Sequence, residues 1–107
     1  MANNYKNAKV DLTTATATVL YTCPAATTAV MRSILVSDDS GSGDTITVTI
    51  TDASDAIFNV FNLKAISANT TSELLSEPLV VQENEVIKVT AATADRLHVV
   101  ASLLEMS

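Results

Sequence analysis

The stretch Thr45-Ile46-Thr47-Val48-Thr49-Ile50-Thr51 alternates hydroxyl and apolar side chains without a break. Period two belongs to a β-strand, whose successive side chains point to opposite faces, so Ile46, Val48 and Ile50 share one face and the threonines share the other. A sheet built from such strands has one dry face and one wet face, and the dry face needs a second layer to cover it. Threonine suits the wet side, because its β-branch fits a pleated strand and its hydroxyl accepts water.

Segments of the same kind recur along the chain, at 5–12, 18–22, 29–37, 45–51, 56–66, 71–75, 78–81, 86–91 and 96–105, separated by turn-forming clusters. Both glycines fall in the polar stretch 38–44 beside Asp38, Asp39 and Asp44, which reads as a hairpin loop. Pro24 removes a ladder donor and marks a corner between strands. Thr70 and Glu73 have the spacing of a helix capping box, but Pro78 leaves room for little more than a turn, so 71–75 reads as strand. Phe58 and Phe61 fall on opposite faces of a straight strand, so burying both requires a bend or bulge. Segment 29–37 is partly apolar on both faces, the pattern of a strand covered on both sides at one end. About eight strands at spacings of roughly 8–12 residues predict an all-β, antiparallel β-sandwich, jelly-roll or Ig-like in topology. At 107 residues the chain has room for one such domain, expected over 8–107, with 1–7 too polar for core and read as an N-terminal arm.

A net charge of −6 repels polyphosphate, so nucleic acid is not an expected partner. Cys23 is the one cysteine, which leaves no intrachain disulfide and makes the apolar core carry the stability. The N-terminus lacks the basic-then-apolar build of a signal peptide, and no apolar run approaches the roughly 20 residues that span a bilayer, so no membrane is expected and synthesis is placed in the cytoplasm.

Convergent chemistry is sparse. One cysteine and one histidine, Cys23 and His98, could form a nucleophile–base pair, but each has a simpler reading: Cys23 fills a niche before the corner proline, and His98 sits on the less apolar face of the last strand. Structural zinc wants four ligands, so no cofactor or transition metal is expected. Asp38, Asp39 and Asp44, with Asp52 and Asp55 in the next loop, could offer oxygens to calcium, but their spacing is not that of an EF-hand and aspartate commonly bonds its own backbone in tight turns. Aromatic residues are 4% of the chain with no tryptophan, which leaves few stacking platforms for sugars; Phe58 and Phe61 are expected in the core.

Several stretches taken in order resemble small structural proteins of tailed bacteriophages: Met1-Ala2-Asn3-Asn4-Tyr5-Lys6-Asn7-Ala8-Lys9-Val10-Asp11-Leu12, Leu20-Tyr21-Thr22-Cys23-Pro24-Ala25-Ala26-Thr27-Thr28-Ala29, Ser33-Ile34-Leu35-Val36, and Pro78-Leu79-Val80-Val81 followed by Val86-Ile87-Lys88-Val89. Related phage domains often place a Gly-Asp pair before the return strand, where this chain has Asn84-Glu85. The resemblance implies a virion structural role, most simply capsid decoration on the outer head, with the major capsid protein or other virion proteins as partners. It also implies a homo-oligomer, a trimer as first expectation, and no enzymatic activity. A neck, tail or tail-tip accessory protein with a receptor- or glycan-binding role is the alternative. Tyr5 is the expected anchor of the arm. A face carrying Met31, Leu35 and the tail residues Leu104 and Met106 has the apolar surplus expected of a surface covered by another subunit.

Overall fold

The computed structural model describes residues 3–107, all of whose regular structure is β. The strands are β1 (Asn3–Asp11), β2 (Thr18–Thr22), β3 (Thr28–Asp38), β4 (Asp44–Thr51), β5 (Ile57–Ile66), β6 (Thr71–Glu73), β7 (Leu79–Val81), β8 (Val86–Ala91) and β9 (Leu97–Met106). They form two antiparallel sheets. In the first the order is β1-β9-β3, with β6 and β7 both on the far side of β3, and in the second it is β2-β8-β4-β5.

The order decides between the two expected topologies. β1 pairs with β9, β2 with β8, β3 with β7 and β6, and β4 with β5, so the chain nests like one long hairpin. That hairpin is wrapped so that β9 also meets β3 and β8 also meets β4. Successive strands change sheet at every connection except β4–β5 and β6–β7, which is the jelly-roll arrangement. β6 and β7 are one strand position interrupted at 74–78. β6 pairs with Leu35–Ser37 of β3 and β7 with Ala29–Met31, and Pro78 stands in the gap. The gap is closed by Leu74 N–H, which donates to the Ile34 carbonyl at 2.9 Å, and by Glu73 Oε2, which accepts from Ile34 N–H at 2.9 Å. Both backbone groups of Ile34 are thereby satisfied in the gap, which helps make a broken edge tolerable.

The inner faces meet in a core of Leu12, Met31, Ile34, Val36, Ile46, Val48, Val81, Ile87, Val89, Leu97, Val99 and Leu103, all essentially without solvent exposure. The outer face of the second sheet is the expected wet one, with Thr45, Thr47, Thr49, Lys88 and Thr90 alternating against the buried positions. Two departures from strict alternation matter. In β3 the register against β9 shifts between Met31 and Ser33, so Arg32 is an extra residue and the inward set passes from Ala29 and Met31 to Ile34 and Val36. Segment 29–37 thus looked apolar on both faces because a bulge changes which parity faces the core. In β5 the expected irregularity is present as two register shifts against β4, around Val48. It half-buries Phe61, but Phe58 lies on an edge strand and stays 55% exposed, so the expectation that both rings are core fails for Phe58.

The tight positions use left-handed backbone. Asn84, in the turn before β8, has φ of 64°, a left-handed position that asparagine tolerates better than most residues. Gly43 has φ of 72°, and a Cβ there would lie 3.2 Å from the Ile66 carbonyl oxygen. Leu63 is the unusual case: it takes φ of 52° with its side chain largely exposed. A left-handed L-residue costs roughly 1–2 kcal/mol, and glycine costs about 0.5–1 kcal/mol in lost unfolded-state freedom. Leu63→Gly is therefore expected to raise the free energy of unfolding by up to about 1 kcal/mol, read as a higher urea midpoint at unchanged slope.

Candidate functional site

The residues named as a possible nucleophile and base do not meet. Cys23 is fully buried just beyond β2, its thiol donating to the Thr27 carbonyl at 3.3 Å, and burial pushes its pKa up. It lies at the Tyr21 end of the sandwich, where the Tyr21 hydroxyl donates to Glu105 Oε2 at 2.5 Å. His98 is on the outer face of β9, seven residues back from Glu105, which at about 3.3 Å per residue is roughly 20 Å away. Its Nε2 lies 3.1 Å from Asp11 Oδ1 and its Nδ1 3.6 Å from Asp39 Oδ2, all three side chains partly in solvent.

Three of the loop aspartates, Asp38, Asp44 and Asp52, accept backbone hydrogen bonds. Asp38 Oδ1 accepts from Ser40 N–H at 2.8 Å, Ser40 Oγ at 2.8 Å and Gly41 N–H at 3.3 Å. Burial works to raise its pKa, but these hydrogen bonds favour the charged form more strongly and hold it below the ordinary value. Asp44 Oδ2 accepts from Thr93 N–H at 2.9 Å, and Asp52 Oδ1 from Ser54 and Ala56 N–H at 2.9 and 3.0 Å. Among the described residues no set of three His, Cys, Asp or Glu groups converges on a point where a metal could sit.

One polar cluster lies inside the sandwich. Glu105 continues the inward parity of Leu97, Val99, Ala101 and Leu103, so its carboxylate enters the core end and is nearly buried. Besides the Tyr21 hydroxyl it takes the ammonium of Lys6, Nζ to Oε1 2.9 Å, from the inward side of β1. The Tyr21 hydrogen bond and then Lys6 lower the pKa of Glu105 against the opposing effect of burial, while burial and the Glu105 contact push Tyr21 up. Sequence parity alone could have found Glu105. Its partners could not be read that way, since they come from two other strands.

The outer face of the first sheet is the feature that reaches solvent. Cross-strand register places Tyr5, Leu104, Val30 and Val80 side by side in one row across β1, β9, β3 and β7. A second row runs Lys9, Val100, Leu35 and Glu73 across β1, β9, β3 and β6. Met106, between Asn3 and Thr28, lies in the next row beyond the first, and Asn7, Ser102 and Ser33 lie between the first two rows. Tyr5 is 76% exposed, Val80 52%, and Leu35 and Val100 39% each. Leu35, Leu104 and Met106 share this face, and Tyr5, read as the anchor of an arm, lies on it too, as part of β1. Met31 does not: the bulge at Arg32 turns it inward, where it is fully buried, so it is a core residue and not part of this surface. Val30, Val80 and Val100 belong to the face and were missed; the alternation of β9 gave Val100 away, but Val80 sits in a three-residue strand with no period to read. The segment read as an arm, 1–7, has its described residues Asn3–Asn7 in β1, paired with Met106–Ser102.

The sequence matches no protein-family model and no curated protein. Among solved structures the fold is similar to that of a subunit from work describing Bacillus endospore appendages as a novel family of disulfide-linked pili, at 11% identity and TM-score 0.60, over 99% of this chain and 87% of that one. Two structures of a pentameric capsid protein isolated from metagenomic phage sequences align at 19% identity and TM-score 0.49, over 94% of this chain; it spans 59% and 60% of theirs. At these identities the likeness is one of fold.

Proposed function

We propose that this chain is a bacteriophage virion structural protein, acting as a capsid decoration protein that binds the outer head and stabilises the shell by surface contact. The observation that carries this is the outer face of the first sheet, where a row of apolar side chains aligned across four adjacent strand positions stands in solvent. Exposed apolar patches of this kind on a rigid domain mark places where another protein lies. The resemblance of the quoted segments to small phage structural proteins supports the virion setting, and the fold is one that also serves in assembled pili. A disulfide link of the kind named for those pili is not open to Cys23, which is buried. Low surface charge suits a protein that must approach a lattice and its own copies, where many weak contacts add up. Tyr5, Leu35, Leu104 and Met106 are the proposed contact residues, and the partners are the major capsid protein and further copies of this chain.

The test is to mix the purified chain with undecorated phage shells and to locate it by microscopy, counting copies. Binding over the outer head in a symmetric number, weakened at least about tenfold by Leu104→Asp, is the expected result. Binding confined to neck or tail would replace this reading with the accessory-protein one, and no binding to any virion part would overturn both.

A further inference from the structure

We infer that, in the free protein, the outer face of the β1-β9-β3-β6/β7 sheet pairs with the same face of a second copy about a two-fold axis running along the strands, a copy that the shell displaces when it takes that face; this rests on the reading of that face as a contact surface. The reason is that the face is complementary to itself. A two-fold rotation about an axis lying between the stacked sheets and parallel to the strands brings β1 of one copy over β6 and β7 of the other, and β9 over β3. In the row Lys9-Val100-Leu35-Glu73 this sets Lys9 against Glu73 of the second copy and Val100 against its Leu35, with each contact occurring twice. In the row Tyr5-Leu104-Val30-Val80 it sets Tyr5 against Val80 and Leu104 against Val30, again twice. Arg32, in the bulge, meets the hydroxyl region around Ser102 rather than a cation. A second copy is thus met by opposite charge at both rims and by apolar side chains through the middle, which is the anatomy of a protein interface.

The size also fits. Four strand positions about 4.8 Å apart and some ten residues at about 3.3 Å give roughly 600 Å² in projection, of the same order as the ~800 Å² per partner of a standard interface. Aligned packing of two such sheets is an ordinary solution for β-layers. On the second sheet the central strands β4 and β8 turn threonines and Lys88 outward, and its exposed apolar residues, Val19, Ile57, Phe58 and Leu63, lie on the two edge strands β2 and β5. The pairing is two-fold, in place of the trimer that the family resemblance implies.

Light scattering of the purified chain is expected to give twice the 11.2 kDa chain mass. Lys9→Glu and Glu73→Lys each place like charges across the interface and are expected to halve that mass, while an equimolar mixture of the two variants restores the dimer because both rims become complementary again. Val100→Arg is expected to give monomer, and Lys88→Glu, on the opposite face, to leave the dimer intact. Circular dichroism checks that each variant is folded. Should Glu73→Lys fail to fold because its carboxylate bonds Ile34, the Lys9→Glu and Val100→Arg masses decide. A wild-type monomer or trimer, or a dimer indifferent to Lys9→Glu and Val100→Arg, overturns the pairing. If Leu104→Asp still abolishes shell binding in that case, the contact-face reading stands without the two-fold.

Discussion

Met31→Ala is expected to lower the free energy of unfolding by about 2–5 kcal/mol, whereas Leu35→Ala, four residues along the same strand, is expected to cost about 1 kcal/mol or less. Strict alternation would give the two side chains the same surroundings. The bulge at Arg32 separates them: Met31 packs in the core beside Ile34 and Val36, and Leu35 stands on the outer face opposite Val100. Removing a fully buried methionine side chain loses its transfer free energy and leaves a cavity that close-packed neighbours fill only in part. Removing a leucine that is already 39% exposed forfeits less and leaves no enclosed void. Urea unfolding at high dilution, where copies do not pair, checks this. Equal losses at the two positions would mean that β3 runs straight and that the outer face is not the one described.

Acidification is expected to remove the second large contribution. Glu105 is more acidic in the folded chain than in the unfolded one, because the Tyr21 hydroxyl and the Lys6 ammonium favour its charged form. A depressed carboxyl pKa stabilises the fold fully above the ordinary glutamate value, 4.5, and that stability drains away as the pH falls through the lower folded value. Asp38 has the same sign and adds to the same acid-side loss. Tyr21→Phe leaves a nearly buried carboxylate with one hydrogen bond fewer and is expected to cost about 1.5–3 kcal/mol at neutral pH. Lys6→Met is expected to cost less, about 1 kcal/mol, since the lysine is half in solvent and its charge is screened. Glu105→Gln is expected to flatten the dependence of stability on pH between about 3 and 5. Urea midpoints measured across that range would expose the error if the wild type and Glu105→Gln lost stability in parallel.

Much of the fold was legible because its cause is local. Period-two patterning placed β2 and β8 to the residue and the other strands to within one or two residues at most ends, since side-chain alternation and turn chemistry act within a few residues. Pro78 and the short spacing after Thr70 were enough to read strand over helix at 71–73. The surface was legible in part: Leu104 and Met106 lie on the outward parity of β9, whereas Tyr5, read as an arm anchor, sits in β1 opposite Leu104, and Met31 was misplaced because a single inserted residue, Arg32, exchanges the two faces from that point on.

Alternating threonines and aliphatics by themselves determined that this chain is layered β-structure with one hydroxyl-covered exterior, for each strand's dry face must find another. Which strands lie side by side was settled only in three dimensions. The nested pairing that makes a jelly roll, the row joining Tyr5, Leu104, Val30 and Val80, and the burial of Glu105 between Tyr21 and Lys6 all join residues far apart along the chain. Register between distant strands depends on how two whole faces pack, and one extra residue in a strand reverses every side chain beyond it, so no local pattern could have fixed them.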